Sequence, residues 1–477
     1  MHSPVLARVA RVWPEFRADA LVATVAFVAR AAAVIWAGHR FPPAADGVYY
    51  YTLASRMAEG LGSTWLWPDG KVTYAAHYPA GYPAILSLVY RWTGPSVAAA
   101  GWTNALIGSA GAVAAYRLAL REARPRWALA AGLAVALHPA LVMYTPAVMT
   151  EGVTASLVAL AAWAASCRSR RGAIALGLVV GVATLVRPQS LVLAPGFGLL
   201  AVAHSAPFLA RLRRAALATV LALAACTPWT IRNCVRMNQC ALVSFNGGWN
   251  LLIGAHEQAT GTFAPVHVPE ACRTVWDEAE KDGCFGREAR RIILREPGRW
   301  LGLVPAKLAA TFDYAGAPGF YLHQSNSDAF GFPAKRLLGI VETAYERIVY
   351  LSALAMAALA AGPMRRARWV VAAASAALLF QTHAYVAVLG LAVTLGLLGK
   401  DLFTGSALRG ATFLSLAATV VTHAVFFGAG RYSMVVFPLV TAFAFCHGEA
   451  STRLILTAPR AGRDTEKKTE ETLNAPD

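Results

Sequence analysis

The sequence predicts an all-α polytopic membrane protein with a mixed outer domain, and three observations carry that prediction. Apolar stretches of spanning length recur about twelve times, with eleven to thirteen compatible, where a helix needs roughly 20 residues to cross the hydrocarbon. Clusters of arginine fall on alternate connections between those stretches. Finally, 57% of the 477 residues are hydrophobic and 14% are charged, far from the roughly 25% charge of an average soluble domain.

Taken in order, spans are expected near Ala18–Gly38, Val97–Ala119, Trp127–Tyr144, Ala147–Cys167, Ala173–Val186 and Ser190–His204. Six more are expected near Ala215–Trp229, Val341–Gly362, Trp369–Thr382, Ala384–Gly399, Leu408–Phe427 and Tyr432–Cys446. The first is long and followed by many others, which fits an uncleaved anchor better than a signal peptide.

Orientation follows from Lys and Arg in short loops, which are retained in the cytoplasm during insertion. The basic connections hold Arg8, Arg11 and Arg17; Arg117, Arg121, Arg124 and Arg126; Arg168, Arg170 and Arg171; Arg211, Arg213 and Arg214; and Arg365, Arg366 and Arg368. The tail from Arg453 to Lys468 continues the series, whereas Thr145–Thr150 and the turn at His383 carry no Lys or Arg. Both termini are therefore expected in the cytoplasm of a bacterium, with the other loops in the periplasm. The net charge of +17 is spread over membrane-flanking loops, a pattern that suits anionic lipid headgroups and argues against nucleic acid.

Four parts result: a transmembrane module at 1–229 containing a first outer loop at 39–96, an outer domain at 230–340, C-terminal spans at 341–450, and a polar tail at 451–477 expected to be disordered. Four of the seven cysteines, Cys234, Cys240, Cys272 and Cys284, fall in the outer domain, where disulfides persist. Four cysteines allow three pairings, and free thiols remain an alternative. No Cys and His spacing suits zinc.

The first outer loop opens at Ala45-Asp46-Gly47, after which Tyr50, Leu53, Met57 and Leu61 recur at helical spacing, as in a surface-lying amphipathic helix. Asp46 stands at its N-terminus, where a carboxylate gains from the helix dipole; capping alone would account for it. Next, His77-Tyr78-Pro79-Ala80-Gly81-Tyr82-Pro83 fixes a turn before a short apolar helix, Ala84–Trp92, with His77 either a plain loop residue or a donor to an anion. Glu151 follows Thr150 one turn inside a helix start, where an ionisable group needs water, a partner such as Arg187, or a substrate. Arg187-Pro188 breaks a helix at that depth, and a guanidinium there suits phosphate. Arg30 lies inside the first span, where snorkelling and a functional role are both open. The basic helix Cys284–Pro297 and the apolar Trp300–Phe312 with Lys307 are expected to lie flat beneath the outer domain.

The order of these motifs resembles that of bacterial GT-C glycosyltransferases related to the lipid A aminoarabinose transferase and the protein O-mannosyltransferases. The matching pieces are Asp46-x-x-x-Tyr50-x-x-Leu53-Ala54 with Gly60, Tyr78-Pro79-Ala80-Gly81-Tyr82-Pro83, Thr150-Glu151 and Leu185-Val186-Arg187-Pro188. They continue through Pro228-Trp229-Thr230-Ile231-Arg232-Asn233, Asn246-Gly247-Gly248-Trp249-Asn250-Leu251, His423-Ala424, Phe426-Phe427 and Arg431-Tyr432. The resemblance implies the GT-C fold and transfer of a sugar from a polyprenyl-phosphate carrier to a hydroxyl of a lipid, polysaccharide or protein on the outer side. It also implies inverting chemistry with Asp46 as general base. A positioned carboxylate suits deprotonation of an attacking hydroxyl, and the phosphate leaving group needs cations and donors. Glu151 is the second expected catalytic carboxylate; His77, Tyr78, Arg187, Arg431 and Tyr50 are expected to bind the donor phosphate or carrier.

The chain departs from that family in three places. Gly47 stands where many relatives carry a second acid, His77-Tyr78-Pro79-Ala80 replaces a basic residue before a Pro-Pro pair, and Ala255-His256 follows Gly254 in place of asparagine. No cofactor is expected to be obligatory; a divalent cation bridging Asp46, Glu151 and the donor phosphate is compatible with two carboxylates but not established by them. The rival reading is a transporter or flippase of a lipid-linked saccharide, although no repeated halves with broken midplane helices are visible. A membrane ligase or polymerase for lipid-linked saccharides would share the architecture.

Overall fold

A computed structural model describes residues 4–313, 316–381 and 383–446, with side chains from residue 17 onward. The expected tail at 451–477 lies outside the described residues. The described residues are predominantly helical, as the apolar periodicity predicts.

Helix α1 (Pro4–Ala37) leads into α2 (Asp46–Ala58), a hairpin of β1 (Thr64–Leu66) and β2 (Val72–Tyr74), and α3 (Gly81–Thr93). Tyr50 and Leu53 are buried as the spacing predicts, but α2 ends at Ala58 and Leu61 is exposed beyond it. The first bundle comprises α4 (Val97–Leu120), α5 (Pro125–Ala136), the short α6 (Pro139–Met143), α7 (Glu151–Ser166), α8 (Arg170–Val186), α9 (Leu193–Leu200) and α10 (Phe208–Arg236). Ser96 caps α4 by accepting from Ala99 N at 3.3 Å, and Ser169 caps α8 by accepting from Gly172 N at 3.0 Å, each satisfying one orphan donor of a first turn.

Small residues set the helix spacing. On α8, a Cβ at Gly177 would come within 2.7 Å of the Leu221 Cβ, and one at Gly181 within 2.5 Å of the Ala225 Cβ. This small-x-x-x-small stripe lets the α8 and α10 backbones approach, the usual route to packing without a hydrophobic driving force.

The outer domain holds α11 (Gly247–Ile253), α12 (Glu278–Arg295), α13 (Pro297–Gly302), α14 (Val304–Phe312) and α15 (Ala317–Ser325). The structure pairs Cys234 with Cys240 and Cys272 with Cys284. The second bundle follows as α16 (Phe332–Leu359), α17 (Arg365–Leu378), α18 (Ala384–Gly396), α19 (Asp401–Thr404), α20 (Ala407–Val425) and α21 (Phe437–Ala444). Of the described helical segments, four are long and apolar enough to cross a membrane: Arg17–Ala37, Val97–Leu120, Pro125–Met143 and Ala407–Val425. Shorter apolar helices, among them α7 and α18, accompany them.

Several expectations are corrected. The extended pairing lies in the first outer loop; within 230–340 the described residues are helical or irregular, apart from one bridge between Thr262 and Gly428. The expected boundary at 229/230 falls inside α10, which carries Pro228 within it and continues to Arg236; Thr230 Oγ1 donates to Cys226 O at 3.1 Å beside the proline. The boundary at 340/341 falls inside α16, because helix formation begins before the apolar run does. Arg30 does not snorkel: it is buried and donates to Ala26 O at 3.1 Å and Ala136 O at 2.9 Å. Lys307 is fully buried, and its ammonium donates to Ala424 O at 3.3 Å and Val425 O at 3.2 Å, capping the end of α20.

Candidate active site

One cavity of about 460 Å³ opens at the ends of α7 and α8 opposite the Arg168–Arg171 connection, and Asp46, Tyr50, His77, Tyr78, Glu151, Arg187 and Arg431 all line it. Residues nearly 400 positions apart in the chain thus meet in one place.

Asp46 reaches it through a strained turn. Ala45 adopts φ 49°, a left-handed conformation that costs a non-glycine residue about 1 kcal/mol or more. The chain then reverses, and Asp46 opens α2 with its carboxylate facing the cavity. Tyr78 Oη donates to Asp46 Oδ1 at 2.8 Å, and Arg431 Nη2 donates to Oδ2 at 2.8 Å.

Glu151 opens α7 and is 2% exposed. Its Oε1 lies 2.8 Å from Arg187 Nη1 and 3.3 Å from Arg431 Nε, and Tyr144 Oη donates to Oε2 at 3.3 Å. One arginine, Arg431, therefore touches both carboxylates. Arg187 caps the C-terminus of α8 immediately before Pro188, where the missing proline N–H ends the helical ladder. The guanidinium carbons of Arg187 and Arg431 stand 4.9 and 5.2 Å from the Tyr432 ring centroid, so an aromatic face steadies both cations.

Burial, reinforced by Asp46, raises the pKa of both Tyr50 and Tyr78 above the ordinary phenol value. Both remain protonated, which makes Tyr78 a hydrogen-bond donor to Asp46 rather than a base. His77 differs from its expected character. Its Nδ1–H donates to Phe245 O at 3.1 Å, and burial lowers its pKa despite the opposing influence of Asp282 and Asp46. Neutral His77 therefore carries its lone pair on Nε2, an acceptor for a hydroxyl rather than a donor to an anion.

Other residues that position the site are silent in the sequence. The Asn104 amide donates to Thr145 O at 3.1 Å and Ala147 O at 2.9 Å, shaping the loop before Glu151. Tyr321 Oη accepts from Ala44 N and Val148 N, both at 3.3 Å, tying the approach to Asp46 to the approach to Glu151. From α12, Glu278 accepts from Ala76 N at 2.6 Å, and Asp282 accepts from Trp249 N at 2.8 Å and Gly248 N at 3.2 Å. No local pattern distinguishes these partners, because each acts on backbone amides or carbonyls far away in sequence.

Residues 77–231 match the family described as dolichyl-phosphate-mannose-protein mannosyltransferase, in agreement with the resemblance drawn from the order of the motifs. Among solved structures, ArnT from Cupriavidus metallidurans in the apo state is 16% identical, with 92% of this chain and 77% of that one covered at a TM-score of 0.37. The same protein bound to undecaprenyl phosphate is 17% identical, with 90% and 76% covered at 0.38. The Archaeoglobus fulgidus oligosaccharyltransferase tethered to an acceptor peptide is 14% identical, with 89% of this chain and 49% of that one covered at 0.45. The chain thus spans about half the length of the oligosaccharyltransferase. No curated protein matches at a significant level.

Proposed function

We propose that this chain, a membrane protein matching the mannosyltransferase family over residues 77–231, transfers a sugar from a polyprenyl-phosphate carrier to a hydroxyl of a lipid, polysaccharide or protein acceptor. The observation that carries the reading is the Asp46–Arg431–Glu151–Arg187 constellation, two carboxylates and two guanidiniums ion-paired in one cavity. The periplasmic side is proposed because the cavity lies opposite an arginine-rich connection.

The chemistry balances on these residues. The acceptor hydroxyl oxygen attacks the anomeric carbon from the face opposite the phosphate, so the configuration inverts. As the new C–O bond forms, the bond to the phosphate oxygen breaks, its electron pair stays with the phosphate, and the acceptor proton passes to Asp46. Protonation neutralises Asp46 and releases its hold on Arg431. That guanidinium is then available at the moment the leaving phosphate gains charge, which is stabilisation confined to the transition state and product. Tyr78 orients the Asp46 carboxylate, Arg187 holds Glu151 in place, and His77 Nε2 accepts from a sugar hydroxyl. Tyr50 forms the wall beneath Asp46. A divalent cation bridging Asp46 and Glu151 fits poorly, since Arg431 already spans the two carboxylates.

Purified protein incubated with labelled polyprenyl-phosphate sugars tests the assignment against Asp46→Asn. Transfer by the variant should fall by roughly 10²- to 10⁴-fold, the usual contribution of a general base, with the melting temperature little changed. Full turnover by Asp46→Asn would remove Asp46 from the role of base.

A further inference from the structure

A second cavity, of about 690 Å³, runs along one face of α16 and reaches Phe380 beyond α17. Its charged lining groups are Lys335, Arg336 and Arg347, and no carboxylate lines it. Ile340, Ile348 and Leu351 supply its apolar walls. None of the three cations takes part in an ion pair among the described residues. Arg347 acts electrostatically on Asp313, whose Oδ1 already accepts from Tyr385 N at 2.6 Å.

The placement of these charges is informative. Arg336, Ile340, Thr343 and Arg347 recur at intervals of four, three and four residues, one stripe of a helix, with the two arginines about 16 Å apart along its axis. Arg347 lies inside the apolar run that begins near Val341, where an unpaired charge is costly. Lys335 is fixed at the other end, its ammonium 5.0 Å from the Phe320 ring centroid and 5.6 Å from that of Phe332. A groove with apolar walls and three unpaired cations complements an amphiphile with hydrocarbon chains and a negative head.

We propose that this groove binds an anionic membrane phospholipid, its phosphate at the Lys335 and Arg336 end and an acyl chain running past Ile340 toward Ile348 and Leu351. The site is separate from the Asp46 cavity, and its occupancy does not depend on the proposed transfer reaction. Phe320 belongs to α15, the helix that carries Tyr321 against the loops of the catalytic cavity, so a bound lipid would also brace that helix.

Full-length protein reconstituted in nanodiscs of phosphatidylcholine with a minor fraction of phosphatidylglycerol, then extracted gently, tests the proposal by native mass spectrometry of retained lipid. Wild type should retain phosphatidylglycerol over phosphatidylcholine by roughly 10- to 100-fold, the scale expected for two cations on one headgroup. The Lys335→Gln/Arg336→Gln/Arg347→Gln variant should lose that preference, whereas Arg213→Gln/Arg214→Gln at the other end of the bundle should keep it. Ile340→Trp, which fills the apolar floor without touching a charge, should reduce retention even if the triple variant fails to fold. Equal retention by wild type and Ile340→Trp, or equal losses from both sets of arginine substitutions, would overturn the proposal in favour of a general lipid annulus.

Discussion

The Tyr321 hydroxyl lies 2.9 Å from the position a Cβ would occupy at Gly47, and the Val148 carbonyl lies 3.0 Å from the same point. The residue after the candidate base is therefore confined by the tyrosine that ties the Asp46 and Glu151 loops together. Where many proteins of the resembling family carry an acid, this chain has a closely packed glycine, and the other carboxylate lining the cavity with Asp46 is that of Glu151.

Substitution at that contact should act on both fold and reaction. Gly47→Ala should destabilise the protein by about 1–3 kcal/mol, the range for overpacking a tight site, and should slow transfer because α2 must shift to admit the methyl group. Tyr321→Phe leaves two buried amides without an acceptor, an effect of about 1–3 kcal/mol. Combining Tyr321→Phe with Gly47→Ala should recover part of the alanine's effect, since one of its two close neighbours is then removed. Thermal melting of the four proteins provides the measurement, and strict additivity would show that the two positions do not share strain.

Arg431→Lys tests whether bridging or charge alone matters. Lysine keeps the charge but lacks a planar fork able to meet Asp46 and Glu151 together. The expected result is a fall in kcat of roughly 10- to 10³-fold with a smaller change in KM, as for a group that acts mainly when charge develops. A rise in KM with kcat intact would instead assign Arg431 to substrate binding.

How much of this was legible in the sequence differs from residue to residue. Asp46, Tyr78, Glu151, Arg187 and Arg431 stand out because they are polar groups at the edges of apolar runs, where composition makes them conspicuous. Arg30 and Lys307 show the same signature, yet the structure satisfies both with carbonyls, so conspicuous charge does not separate a site from a cap. Tyr321, Asn104 and Glu278 act on backbone amides or carbonyls, and nothing in their local sequence marks that use. The hairpin carries its Pro68-Asp69-Gly70 turn signal, but strands of three residues are too short to display alternation.

Glu278 should make stability depend on pH near neutrality. Burial raises its pKa from 4.5 to about 7, against the opposing effect of the Ala76 and His77 amides and Arg232. The folded state therefore holds this proton more tightly than the unfolded chain does. The stabilisation is fully present below about pH 4.5 and is lost as pH rises through 7. Glu278→Gln retains an acceptor for Ala76 N but cannot ionise. Its melting temperature relative to wild type should rise between pH 5 and 8, and parallel profiles for the two proteins would contradict a shifted Glu278.

The Glu151–Arg187 pair should show the asymmetry of buried charges. With Glu151 2% exposed, Arg187→Gln strands a carboxylate whose remaining cationic neighbour is Arg431 at 3.3 Å. Breaking such a pair from one side is expected to destabilise by about 3 kcal/mol, the low end of the usual range because Arg431 compensates in part. Glu151→Gln combined with Arg187→Gln removes both charges and should recover most of that loss. Denaturant titration of the two single variants and the double variant measures the coupling. If the double variant lost the sum of the two single effects, the ion pair would contribute nothing to the fold, and its presence in the cavity would have to be explained by the reaction alone.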